Sequence, residues 1–479
     1  MNKIVIKVLL LLTLLLPNLA SWSQVTKKLD KAQMKSDIDH FFRSLHQHHP
    51  NPYYFCSKDS VERERNLLVN SLPDSLSTSE FAKRITTLNH LFDAHTNISL
   101  DFIWQDTSQV YIPPIFEIDN NYNLYVKEKY TSVRSKVMSI NGQKTTSVMA
   151  QFKKYMSNEQ IRSNIRGNIL LFTYCLPILG INHPYTIELE HNGTLEVINI
   201  SNNKVYTNSA SNYNLDFSSL YKKSLDTNAV QPSNFQINTD RSLAILYYTS
   251  CNIDQDSSIQ QQVKTFFQKI DSLKIKNLII DIRNNTGGNT ASNDYITKYI
   301  KHKAFTIKQS VEERITNDYK QAASSKVKDY RQKSLLHKIF YRLTMPSHIV
   351  KIYAGNVGDL YKATYKEKVA ARTSGYSGNI FIAQGYNTFS SALDFALWFK
   401  VSKRGIIVGD ETGEATDCFS NIKFDYLPHS NLAYMVALGR YKFPSGNIAT
   451  GLKPDRYIKI DASESFLNEE EINQIILFK

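Results

Sequence analysis

Asn277-Leu278-Ile279-Ile280-Asp281-Ile282-Arg283-Asn284-Asn285-Thr286-Gly287-Gly288 is the stretch that decides the fold. Its first half is a short, nearly continuous apolar run. That is the signature of a strand buried on both faces, as in a parallel sheet covered by helices. Its second half turns polar and ends in paired glycines, which let the backbone turn tightly and aim N–H groups into the crevice at the carboxyl edge of the sheet. Such donors suit a developing oxyanion.

Outward from this strand the hydrophobic period keeps alternating. Leu243 to Tyr248 reads as a strand, and Val263, Phe266, Phe267, Ile270 and Leu273 mark a helix. Ile380-Phe381-Ile382-Ala383 is another strand, followed by an amphipathic helix from about Ser391 to Lys403 and a strand at Gly405–Gly409. Two alternating strands follow near 422–427 and 432–438. Strands and helices in turn define an α/β domain over 236–479. A segment dense in Lys, Arg and Tyr, 300–370, interrupts it, and 311–342 reads as one or two basic helices.

Upstream, residues 24–108 read as a helical domain. Leu29, Met34, Ile38, Phe41, Phe42 and Leu45 recur at the helical period, as do Phe81, Ile85, Leu88 and Leu91. Ser77-Thr78-Ser79-Glu80 has capping-box spacing, and His48-His49-Pro50-Asn51-Pro52 reads as a turn with solvated histidines rather than a metal site. Residues 109–235 turn to short strands, among them 110–112, 124–126, 137–140 and 185–189, with Asn141-Gly142 as the sharpest turn signal. The Ser- and Asn-rich stretch 201–235 reads as a linker. Residues 1–23 read as a secretory signal: Lys3 and Lys7 precede the apolar run Val8–Leu16, Pro17 breaks it, and Ser21-Trp22-Ser23 supplies small residues for cleavage. That run is far short of the roughly 20 residues that span a bilayer. An exported chain follows: periplasmic, cell-surface or secreted.

Composition narrows the classes. The 479 residues are 42% hydrophobic and 21% charged, which excludes disordered and collagenous chains, and Cys56, Cys175, Cys251 and Cys418 are too few for a disulfide scaffold. Four cysteines permit three pairings, and spacing does not choose among them. The net charge of +13 loses two units with Lys3 and Lys7. It allows an acidic or membrane-surface contact through 300–370, but no nucleic-acid motif accompanies it. HExxH, GxGxxG, P-loop and GxSxG motifs are absent, so no metal or cofactor is called for, and nothing specifies an oligomeric state.

A second segment fits the first. Gly385-Tyr386-Asn387-Thr388-Phe389-Ser390-Ser391-Ala392 lies between a strand and a helix, so Ser390 sits at a strand end facing helix-starting N–H groups. Together the two segments resemble the C-terminal processing (tail-specific) serine peptidases, closer to the branch of the tricorn core and the interphotoreceptor retinoid-binding protein. An Asp-hydrophobic-Arg-x-Asn-x-Gly-Gly element there precedes a Thr-x-Ser-x-Ala-type nucleophile turn. Val408 to Gly413 is similar to the family's Gly-Glu-x-Thr segment, with Asp410 in place of the glutamate. Gly451-Leu452-Lys453-Pro454-Asp455 is similar to its Gly-x-x-Pro-Asp close, and Asp93-Ala94-His95-Thr96 to the Asp-x-His-Thr of the tricorn-like branch.

The resemblance implies a crotonase-like (ClpP-like) catalytic core and a PDZ-like module in the β-rich middle. It also implies Ser390 as nucleophile, and an oxyanion hole from the N–H groups of Ser391 and of Gly287 or Gly288. The lysine base of the processing peptidases is missing after Thr412, so His95 takes that role, as in the tricorn-like branch. The glutamate expected before Gly-x-x-Pro-Asp is also missing, since Asn447-Ile448-Ala449-Thr450 holds no acid. Asp410, Glu411, Glu414 or Asp93 is left to orient His95. The implied activity is hydrolysis of a polypeptide substrate. The alternative is a weakened or inactive relative that holds a peptide or an apolar ligand.

Overall fold

In the computed structural model the described residues are 27–100, 115–119, 121–126, 133–163, 169–201, 204–207, 234–331, 347–444, 446, 450–460 and 466–477. The signal segment 1–23, the strand expected at 110–112 and most of the linker expected at 201–235 lie outside them. So does the middle of the basic segment. No helix among the described residues is long and apolar enough to cross a membrane.

The decisive strand sits in the middle of a six-stranded sheet. Its order is Asn234–Asn238, Leu243–Tyr247, Asn277–Asp281, Asn379–Gln384, Ile406–Gly409 and Arg456–Tyr457. All neighbours are parallel except the first pair. The apolar run divides between two cores because successive side chains point to opposite faces. Leu278 and Ile280 pack with the helices Ser257–Ser272 and Ser391–Ser402 on one side, and Ile279 packs with Phe381, Val408 and the helix Glu469–Ile476 on the other.

A second, antiparallel sheet runs Leu360–Val369, Phe305–Arg314, Ala433–Lys442, Asp417–Tyr426, with the two-residue strand Asn97–Ile98 added to Ala433–Lys442. The basic segment is thus partly sheet. Residues 311–314, expected to begin a basic helix, close the strand Phe305–Arg314, and helix begins only at Asn317–Arg331. Ile307 and Val311 alternate with charged or polar neighbours there, a period of two that Lys and Glu side chains mask.

The amino-terminal helices Lys31–His48, Lys58–Asn70 and Thr78–Ile85 are capped by Asp30, Ser57 and Ser77; the Ser77–Glu80 capping box forms as its spacing predicts. Their core includes Phe41, Phe81 and Phe92 and also Tyr434 and Val436 from the antiparallel sheet, with Leu427 and Leu432 from the turn between its strands. The middle β-rich unit is a separate antiparallel sheet around Phe116, Val137, Phe152, Phe172 and Ile187, with Asn141-Gly142 at positive φ in the tight turn.

Candidate active site

The two motif segments are knitted together by hydrogen bonds of their own. Thr388 donates through Oγ1 to Ile282 O at 2.9 Å, the Phe389 N–H donates to Asn285 O at 3.0 Å, and Ser391 donates through Oγ to Gly288 O at 2.8 Å. Asn285 is buried and donates to Tyr248 O at 2.9 Å, which ties the loop to the neighbouring strand. Beneath it Arg283, 1% exposed, is held by Asp281. Asp281, Arg283, Asn285, Thr388 and Ser391 therefore each have a partner at the end of the sheet.

Ser390 occupies the turn between strand and helix at φ 51, a left-handed conformation that costs a non-glycine residue energy. Gly287, at φ 104, lies directly against it. A Cβ on Gly287 would stand 2.7 Å from Ser390 Cβ, so no other residue fits. The Gly287 N–H is engaged, donating to Asn285 Oδ1 at 2.9 Å. The N–H groups of Gly288 and Ser391 have no acceptor among the described residues. These two amides flank Ser390 and remain open to an incoming oxygen.

His95 reaches this point from the other end of the chain. The strand Asn97–Ile98 pairs with Met435 and Tyr434, and the Ala437 N–H donates to Thr96 Oγ1 at 3.0 Å, so the turn 93–96 is fastened to the antiparallel sheet. His95 Nδ1 faces Glu414 Oε1 at 3.4 Å, an ion-pair separation longer than a formed hydrogen bond. The other carboxylate oxygen, Oε2, accepts from the Ser390 N–H. One buried carboxylate, 1% exposed, therefore meets both Ser390 and His95. Burial pushes the Glu414 carboxyl above its ordinary range, while His95 and the Ser390 N–H pull it back.

The remaining acids go elsewhere. Asp410 accepts from the Glu411 N–H at 2.8 Å, and Glu411 accepts from the Tyr457 hydroxyl at 3.0 Å. Asp93 accepts from the His95 N–H at 2.9 Å and pairs with His49 Nε2 at 2.9 Å. Burial raises the Asp93 carboxyl, but His49 and Thr96 more than offset it, so it lies below its ordinary range. His49 is not a solvated turn residue, as its neighbours in sequence suggested. It is buried against Phe419 and accepts from the Asn51 N–H on Nδ1, which fixes Nε2 as the protonated nitrogen. Pattern reading missed Asn285 as the brace of the glycine loop and His49 as the partner of Asp93; the conjunction of a buried turn and Asp93 is visible only in three dimensions. The four cysteines form no disulfide with one another. Among the described residues no group of three His, Cys, Asp or Glu side chains is placed to hold a metal.

Comparison with known proteins bears on the family and the fold. The family described as Peptidase family S41 matches residues 242–458, which contain the whole six-stranded sheet apart from its first strand. The solved structure of mature CPAF is 13% identical and superposes over 93% of this chain and 98% of that one with a TM-score of 0.60; mature CPAF complexed with lactacystin is 12% identical over the same shares with a TM-score of 0.59. The photosystem II D1 C-terminal processing protease is 11% identical, covering 90% of this chain and 95% of that one, with a TM-score of 0.43. The likeness to mature CPAF concerns the fold. No curated protein matches the chain.

Proposed function

Because the core of this chain belongs to peptidase family S41, and the chain is a serine-type peptidase, we propose that it is an exported endopeptidase using Ser390, His95 and Glu414. The observation that carries this reading is the shared carboxylate: Glu414 meets the Ser390 N–H with one oxygen and faces His95 Nδ1 with the other. With Nδ1 turned to Glu414, the opposite nitrogen Nε2 is left for the serine hydroxyl.

In the proposed mechanism His95 takes the Ser390 proton as the hydroxyl oxygen attacks a peptide carbonyl. Glu414 orients the ring and stabilises the imidazolium that forms. The 3.4 Å gap closes in the substrate complex, since catalytic hydrogen bonds are commonly long without substrate. The N–H groups of Gly288 and Ser391 receive the oxyanion; that of Gly287 is excluded by its bond to Asn285 Oδ1. His95 then returns the proton to the leaving amine, and water repeats the cycle on the acyl-enzyme. Export rests on the sequence of residues 1–23, and the substrate is polypeptide.

The same 3.4 Å gap favours a second reading, a catalytically weak relative that holds a peptide. A fluorophosphonate probe and casein cleavage separate the two. Labelling of wild type, lost in Ser390→Ala together with cleavage and lost or strongly slowed in His95→Ala, is the expected result. Absence of labelling, with equal background cleavage in all three proteins, overturns the peptidase reading.

A further inference from the structure

Beyond the residues already described, a further carboxyl is buried beside the site, and it comes from the middle of the chain. Glu159 lies in the first turn of the short helix Asn158–Ser163 and is fully buried, 0% exposed. The helix is latched onto the segment that carries His95. The Asn158 N–H donates to Phe92 O at 2.8 Å, and Asn158 Nδ2 donates to His90 O at 3.1 Å. Glu159 Oε2 accepts from the Ala94 N–H at 3.2 Å, and the Ala415 backbone lies close enough to the carboxylate to pull its pKa down. Ala94 immediately precedes His95, and Ala415 immediately follows Glu414.

We infer that Glu159 is a positioning residue, which holds the His95 segment in place beside Glu414 by accepting a hydrogen bond from the Ala94 N–H. The inference rests on the reading of His95 and Glu414 given above. Among the described residues the two segments that must meet for the base to be oriented share no strand pairing across this point, and the buried Glu159 carboxyl lies between them. Its surroundings suit a neutral acid. Burial, then the nearby Glu414 and Asp93 carboxylates, raise the Glu159 carboxyl well above its ordinary range. A protonated carboxyl still accepts from the Ala94 amide, and it adds no second negative charge beside Glu414.

A neutral isostere should therefore serve equally well, while a side chain of similar bulk without an acceptor should not. We expect Glu159→Gln to keep kcat within about threefold of wild type. Glu159→Met, which fills the space, should lower kcat about 10- to 100-fold with KM within about twofold, the size expected for a misplaced catalytic group. Hydrogen exchange in peptides spanning 93–96 and 413–416 gives a readout independent of activity, and it should quicken in the Met variant only. Equal kcat in Met and Gln variants, or equal loss in both, overturns the inference. So does loss of the thermal transition in the Met variant, which would make Glu159 a folding residue alone. Ser390→Ala and His95→Ala run alongside: if wild type is active and those two are not, a failure belongs to Glu159, whereas an unlabelled, inactive wild type removes the peptidase reading itself.

Discussion

At the scale of single residues the site depends on which of several neighbouring acids faces the histidine. Asp410, Glu411 and Glu414 lie within one turn segment, and nothing in their spacing ranks them. The structure separates them by partner: Asp410 caps the Glu411 amide, Glu411 takes the Tyr457 hydroxyl, and Glu414 faces His95. Glu414→Gln should therefore lower kcat by about 10²- to 10⁴-fold with little change in KM, in line with the loss of the orienting acid in other triads. Asp410→Asn and Glu411→Gln should stay within about twofold, and equal losses across the three in a casein-peptide assay would contradict this assignment. Gly287 makes a second, steric prediction. An added methyl would meet Ser390 Cβ at 2.7 Å and must also adopt φ 104. Gly287→Ala should slow fluorophosphonate labelling by about 10²-fold or more while leaving the fold in place, because displacing one wall of an oxyanion site costs on that order. Ser390, His95 and the paired glycines were legible in sequence because motifs fix them. The roles of Asn285, His49 and Glu159 were not, since each acts on a group brought near only by folding.

At the scale of elements, the helix Ser391–Ser402 does two jobs. It offers its first N–H to the site and places Asp394 in its first turn, where the Asp394 N–H donates to Ser390 O at 3.2 Å. Burial lifts the Asp394 carboxyl to about 7, with Glu414 and Glu367 adding to the rise and Thr290 opposing it. The folded chain thus binds this proton more tightly than the unfolded chain, whose carboxyl titrates near the ordinary value of 3.8. Stability from this group is fully present below about pH 4 and is lost as pH rises through about 7. Asp394→Asn should melt above wild type at pH 8 and converge with it toward pH 4. A thermal-melt difference that does not grow with pH would remove Asp394 as the cause. Elements were legible where the apolar pattern was simple. Asn277–Asp281 declared itself as a buried strand, and Ser77–Glu80 as a helix start. Phe305–Arg314 did not, because Lys308, Glu312, Glu313 and Arg314 crowd its apolar positions, and such a strand resembles a basic helix when only charge density is counted.

At the scale of the molecule, the site is assembled from three parts of the chain, and their cores are unequal partners. The amino-terminal helices bury Phe41 and Phe92 against Tyr434 of the antiparallel sheet, with Phe41 and Tyr434 ring centroids 5.6 Å apart. The segment that delivers His95 therefore shares its core with the region that surrounds Ser390. The middle β-rich unit has a core of its own around Phe152 and Phe172, and it touches the site through Asn158 and Glu159. Sequence patterning marked three stretches of different period but gave no sign that the first and last share a core, since the contacts join residues separated by most of the chain. Two core truncations distinguish these relations. Phe41→Ala removes a side chain with no exposed surface and should cost about 3–5 kcal/mol. Hydrogen exchange should then speed up together in peptides from 31–98 and from 427–436, and heat inactivation should move to lower temperature with them. Phe172→Ala, equally buried, should speed exchange across 116–200 while leaving 427–436 protected as in wild type. If Phe41→Ala loosened the amino-terminal helices and left 427–436 untouched, the helical region would be an independent domain, and the histidine would reach the serine by docking rather than through a shared core. The continuous packing of Phe41, Phe92 and Tyr434 argues for the joint response, because a close-packed core transmits a cavity to every element that lines it.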